Sequence, residues 1–127
     1  MEGINVKSEI GPLKKVLLHR PGNELLNLTP DTLGRLLFDD IPFLPVAQAE
    51  HDEFARILKE NGIEVVYLED LMAEVLNISD EILCEFIKEF IYEAGITTPK
   101  YKNLVFEYLH SFVDKKELVL KTMSGIK

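Results

Sequence analysis

The spacing of apolar residues changes character near residue 70. Before that point short β-rich runs alternate with turn signals, and after it apolar positions recur three and four residues apart. Lys15-Val16-Leu17-Leu18-His19 lies between Gly11-Pro12 and Pro21-Gly22, a bracketing that predicts a strand. A second strand is predicted over residues 62 to 68. Between the two, Thr29-Pro30-Asp31 predicts an N-cap with proline at the first helical position, opening one or two turns toward Leu36. A longer helix follows Pro45, runs over residues 46 to 60 and stops at Asn61-Gly62, with Ala47, Phe54, Ile57 and Leu58 as its inward stripe. The order is β-α-α-β.

From about Leu71 onward the pattern is helical. Ser79 is an N-cap candidate, and Ile82, Leu83, Phe86, Ile87, Phe90, Ile91 and Ala94 form a buried stripe that stops at Gly95. Thr98-Pro99 restarts a helix with the stripe Tyr101, Leu104, Val105, Tyr108, Leu109 and Phe112. Asp114 and Glu117 have capping-box spacing and open a last helix through Leu118, Val119 and Met123 to Gly125. The expected fold class is mixed α/β (α+β). A strand-containing module spans residues 1 to 73 and a small helical bundle spans residues 74 to 127.

Composition narrows the functions. The chain has 127 residues, less than the roughly 150 of an average domain, so a large multidomain enzyme is excluded. Its 14 basic and 22 acidic residues leave a net charge of -8, the wrong sign for nucleic acid or an anionic membrane surface. The longest charge-free stretch, residues 41 to 49, contains Pro42 and Pro45 and falls far short of the roughly 20 residues that span a bilayer. The first residues lack an apolar signal region, and Cys84 is the only cysteine, so no intrachain disulfide forms and a reducing cytoplasm fits best. Acids crowd residues 64 to 93 and lysines crowd residues 94 to 127. That asymmetry fits either solvated helix faces or steering of self-association.

Candidates for chemistry are few. Cys84 sits mid-helix among Glu81, Glu85 and Lys88, a net negative setting that opposes thiolate formation, and it reads as a structural helix-flank residue. His19 ends a strand. His51 lies in Glu50-His51-Asp52-Glu53 and reads as a pH-sensitive surface group, while His110 near a helix C-terminus suits a cation. No pair of histidines has metal-ligand spacing, two-cysteine metal motifs are impossible, and no metal is expected. The most suggestive segment is Leu36-Leu37-Phe38-Asp39-Asp40-Ile41-Pro42-Phe43, where two adjacent carboxylates are framed by large apolar residues. Asp39 and Asp40 either tie down this loop by hydrogen bonds or contact a ligand, and spacing leaves both open. There is no glycine-rich phosphate loop, nucleophile elbow or basic aromatic patch.

Three strings in order resemble the N-terminal region of arginine deiminases. They are residues 10 to 22 (Ile-Gly-Pro-Leu-Lys-Lys-Val-Leu-Leu-His-Arg-Pro-Gly), the segment from Leu36 to Phe43, and Gln48-Ala49-Glu50-His51-Asp52-Glu53-Phe54. The helical second zone is similar to that family's inserted helical subdomain. The resemblance covers essentially the whole chain but under half of a full-length member.

It implies a partial α/β-propeller (pentein-like) module followed by the helical subdomain. It also implies hydrolysis of L-arginine to L-citrulline and ammonia without metal or organic cofactor. In that chemistry a cysteine attacks the guanidinium carbon, a histidine moves protons and acidic side chains pair with the guanidinium nitrogens. By the same resemblance, Leu37 lines the arginine pocket, and Asp39 and Asp40 form a site wall or anchor its loop. Cys84 does not match the nucleophile, and the family's Met-Pro-Asn-x-x-Phe-x-Arg-Asp segment does not occur. The chain alone is therefore expected to be catalytically incomplete, with arginine a partner only of the complete enzyme. Open sheet edges or helix faces are expected to drive self-association. The rival reading is a noncatalytic binding or regulatory module that reuses the fold, with the acidic helix after Ser79 as its partner face.

Overall fold

A computed structural model describes residues 6, 8–36 and 39–126. Two short strands, β1 (Lys15–Leu18) and β2 (Glu64–Tyr67), pair in parallel with Val16 opposite Val65 and Leu17 opposite Val66. Parallel pairing needs a crossover, which here is a single 3-10 turn (Leu25–Asn27) and helices α1 (Pro30–Leu36) and α2 (Leu44–Glu60). Both strands are where the β-branched runs predict them, β1 one residue shorter and β2 three residues shorter. The mixed helix-and-strand class stands.

Helix α2 ends as the sequence predicts. Gly62 takes φ +75°, its N–H donates to the Lys59 carbonyl and the Ile63 N–H donates to that of Leu58, which closes a Schellman motif. Its inward stripe matches the expected one only at Ala47 and Leu58. Phe54 and Ile57 are 52% and 46% exposed, whereas Ala55 is buried and Leu44, Ala47, Gln48, His51 and Leu58 are half-buried. Two faces of this helix have three-and-four spacing, and the one that meets β2 carries the smaller and more polar side chains.

Four further helices follow: α3 (Leu68–Leu76), α4 (Asp80–Glu93), α5 (Pro99–His110) and α6 (Lys115–Ser124). The tyrosine that ends β2 directly precedes α3, so helix begins three residues before the change of period suggests. The boundary expected between residues 73 and 74 falls inside α3. The core lies here, built from Leu76, Leu83, Ile87, Ile91, Leu109, Leu118 and Val119. The α4 stripe is as predicted except for exposed Ala94. On α5 half of the expected stripe is buried: Val105 and Leu109, with Phe106 and with Phe112 just past the helix, pack in or against the core, while Tyr101, Leu104 and Tyr108 are 60%, 51% and 43% exposed. Apolar residues on α5 cover more than one face, so periodicity alone does not choose among them.

The predicted caps at Ser79 and Asp114 form. Ser79 Oγ accepts from the Ile82 N–H, and the Asp114 carboxylate accepts from the N–H groups of Lys116 and Glu117. Asp114→Ala is expected to cost about 1 kcal/mol, because two helix-end N–H groups lose their acceptor. Urea unfolding should show a lower midpoint with an unchanged slope. Among the described residues no helix is long and apolar enough to cross a membrane.

Candidate functional site

Parallel strands deliver the residues that follow them to one edge, the usual location of ligand crevices in open α/β sheets. His19 comes directly after β1, and Glu69 is the second residue of α3, directly after β2. Glu69 is the one buried charged residue among those described, 4% exposed. A carboxylate removed from water needs a partner and favours the positive end of a helix, and Glu69 has both. His19 Nδ1 lies 3.0 Å from Glu69 Oε2, and His19 Nε2 lies 3.2 Å from Glu24 Oε1. The Gly22 N–H donates to the same Glu24 oxygen at 2.5 Å. A Cβ on Gly22 would come within 2.8 Å of Glu24 Oε2, so a side chain there would push that carboxylate off the imidazole.

The imidazole therefore bridges two acids. Burial by itself lowers its pKa, but hydrogen bonds and charge from Glu69 and Glu24 outweigh that and leave it raised above the ordinary 6.5. The neighbouring turn is pinned to α2: Arg20 grips Asp52 with two hydrogen bonds of 2.7 and 2.8 Å, and the Gln48 side-chain amide donates to the Pro21 carbonyl at 2.9 Å. The Asn27 amide donates to the Ser124 carbonyl, which ties the turn to the end of α6. Between turn and helices lies a cavity of about 790 Å³ that Glu69, Gln48, Phe112, Lys116 and Lys121 help to line.

The geometry moves several residues from their expected roles. His51 is not a surface group: its Nε2 is buried with no hydrogen-bond partner among the described residues, and its ring lies 5.9 Å from that of Tyr67. It sits on the face of α2 that turns inward, which the surrounding acids conceal in the sequence. Cys84 is partly buried on α4 and donates to Asp80 Oδ2 at 3.6 Å; burial first, then the Asp80 carboxylate, push the thiol up. His110 closes α5, with Nε2 2.9 Å from Asp80 Oδ1. Asp39 and Asp40 are exposed, and the Asp40 carboxylate accepts from the Ile41 N–H at 2.7 Å. Their apolar frame is exposed too, at Leu36, Ile41 and Phe43. Leu37 lies outside the described residues.

The family model described as arginine deiminase matches residues 34–127. The chain belongs to the arginine deiminase family. It is 62% identical over 126 residues to the arginine deiminase of Treponema denticola, covering 99% of this chain and 31% of that protein. It is 57% identical over 124 residues to that of Clostridium perfringens strain SM101, and 59% identical over 124 residues to that of Streptococcus pneumoniae strain Hungary19A-6. In both of these the match covers 98% of this chain and 30% of the relative. This arginine deiminase family chain thus spans less than a third of the length of the curated relatives it matches. The His19–Glu24–Glu69 bridge is the feature of its site that sequence reasoning missed. Two acids 5 and 50 residues from a histidine share no local pattern, and the only available signal was that each strand end hands a polar residue to the same edge.

Proposed function

We propose that this chain forms one wall of the arginine site in an enzyme that hydrolyses L-arginine to L-citrulline and ammonia. Identity of 62% carried across 99% of the chain is the observation that supports this reading. In it, β1, β2 and their crossover helices are one incomplete module of an α/β propeller, α4 to α6 belong to the helical subdomain, and the setting is cytoplasmic. Leu37 offers the guanidinium-bearing chain an apolar contact, and Asp39 and Asp40 shape the loop beside it. The hydrogen bond from the Ile41 N–H to Asp40 favours loop anchoring for that residue.

The 127 residues by themselves are proposed to be catalytically incomplete. Attack on a guanidinium carbon requires a thiolate near a proton carrier inside a desolvated pocket. Cys84 instead has a raised pKa and shares its proton with Asp80. Purified chain is expected to form no citrulline from arginine, before or after thiol alkylation. A chimera in which residues 1–127 replace the matching segment of the Treponema denticola enzyme tests the main reading. It should form citrulline within about tenfold of the parent rate, and Leu37→Ala in it should lower kcat/KM about tenfold through loss of apolar contact. An inactive, folded chimera would overturn the assignment.

Self-association belongs to the same proposal. Among the described residues each strand of the two-stranded sheet keeps an open edge, and Phe54 and Ile57 expose apolar surface on α2. Light scattering should give a mass that rises with concentration, and a constant monomer mass would count against it.

A further inference from the structure

We propose that Asp80, Cys84 and His110 form a binding site for zinc or a similar borderline-soft divalent cation, separate from any arginine chemistry. One ligand atom from each side chain lies within 4.8 Å of the other two. Asp80 and Cys84 are four residues apart on α4 and so share a face, and His110 arrives from the end of α5. The adjacent residues Leu83 and Leu109 are locked into the core at 3% and 0% exposure, which fixes the backbone beneath two of the three donors. The Phe106 ring stacks on the His110 imidazole with centroids 5.7 Å apart and an interplanar angle of 14°, which orients it.

The separations suit a metal. With Zn–S near 2.3 Å and Zn–N near 2.0 Å, ligand atoms around tetrahedral zinc lie roughly 3–4 Å from one another. Asp80 already reaches both partners through its two oxygens, Oδ1 at 2.9 Å from His110 Nε2 and Oδ2 at 3.6 Å from Cys84 Sγ. A thiol, an imidazole and a carboxylate together select zinc, cobalt or nickel over magnesium and calcium, which prefer all-oxygen shells. The last turn of α5 presents its negative dipole end to a cation beside His110. Lys88 and Lys115 are the basic groups that act on the cluster; Lys115 is held by a 2.6 Å hydrogen bond to the Phe112 carbonyl.

Binding replaces protons by metal. The Cys84 S–H bond breaks, its electron pair forms the metal–sulfur bond and its proton leaves to buffer. The His110 Nε2 lone pair and an Asp80 oxygen become the second and third ligands, with water in the fourth position. No oxidant or reductant is involved. Because the donors come from two helices, no local motif marks the site in the sequence.

Cobalt(II) titration of the chain tests this. One equivalent should produce thiolate-to-cobalt charge-transfer absorption, and zinc should abolish it by competition. Calorimetry with zinc in buffers of different ionisation enthalpy should report release of about one proton per metal. Cys84→Ser should remove the charge-transfer band, and His110→Gln should weaken zinc binding at least tenfold. Both positions are at the rim of the core, and circular dichroism checks that the variants fold. Ser111→Ala, beside the cluster but not in it, should bind as the parent does. Zinc binding that Cys84→Ser and His110→Gln leave unchanged, or cobalt bound without a sulfur band, would overturn the site.

Discussion

Leu109→Ala is expected to destabilise the chain by about 2–5 kcal/mol, enough to unfold a large fraction of a domain whose total stability is of order 5–15 kcal/mol. Leu109 is fully buried, at 0% exposure, and packs in the cluster with Ile87, Leu118 and Val119. Its truncation removes the apolar transfer contribution and leaves a void that four helices cannot close without moving one another. Leu104→Ala, five residues earlier on the same helix and half-exposed, should change stability by no more than about 0.5 kcal/mol. Urea midpoints of the two variants, at constant slope, provide the comparison. Equal losses would mean that Leu104 is buried as its place in the periodic stripe suggests, and not turned to solvent.

Glu69→Gln is the second large effect. It replaces a buried carboxylate that faces a raised-pKa histidine by a neutral amide of the same shape. Breaking a fully buried charge pair costs about 3–5 kcal/mol. The His19 side chain keeps 29% of its surface in water and retains Glu24, so about 2 kcal/mol is the expected loss.

The pH dependence is the more specific readout. His19 has a higher pKa folded than unfolded, so its contribution is fully present below the unfolded value of 6.5 and is lost as pH rises through the raised one. The parent chain should therefore lose stability across that window as pH rises. Glu69→Gln should flatten the slope there, because the folded pKa moves back toward the ordinary value. Denaturant midpoints on both sides of the window, with an NMR titration of the His19 ring, check both statements. A ring that titrates at the ordinary value in the parent would show that the two acids do not hold its proton.

The same residues show how far a one-dimensional reading reaches. Schellman closures at Gly62 and Gly95 and caps at Ser79 and Asp114 depend on backbone groups within six residues of each other. They were legible for that reason. The faces of α2 and α5 were not, because each carries apolar residues around more than half its circumference and the choice depends on what lies opposite. His51 went inward with the face of α2 that β2 covers. The mutual approach of His19, Glu24 and Glu69, and that of Asp80, Cys84 and His110, were equally hidden.

By itself the sequence determined the two strands and the order of α1, α2, α4, α5 and α6, several of their stops and caps, the mixed fold class and the family, all carried by local spacing or by continuous identity. Only the tertiary structure decided which helix faces are buried, where the buried Glu69 carboxylate finds its hydrogen-bond partner and which polar side chains meet. Those outcomes depend on the packing of apolar surface between segments distant in the chain, and such packing leaves no periodic trace in either segment alone.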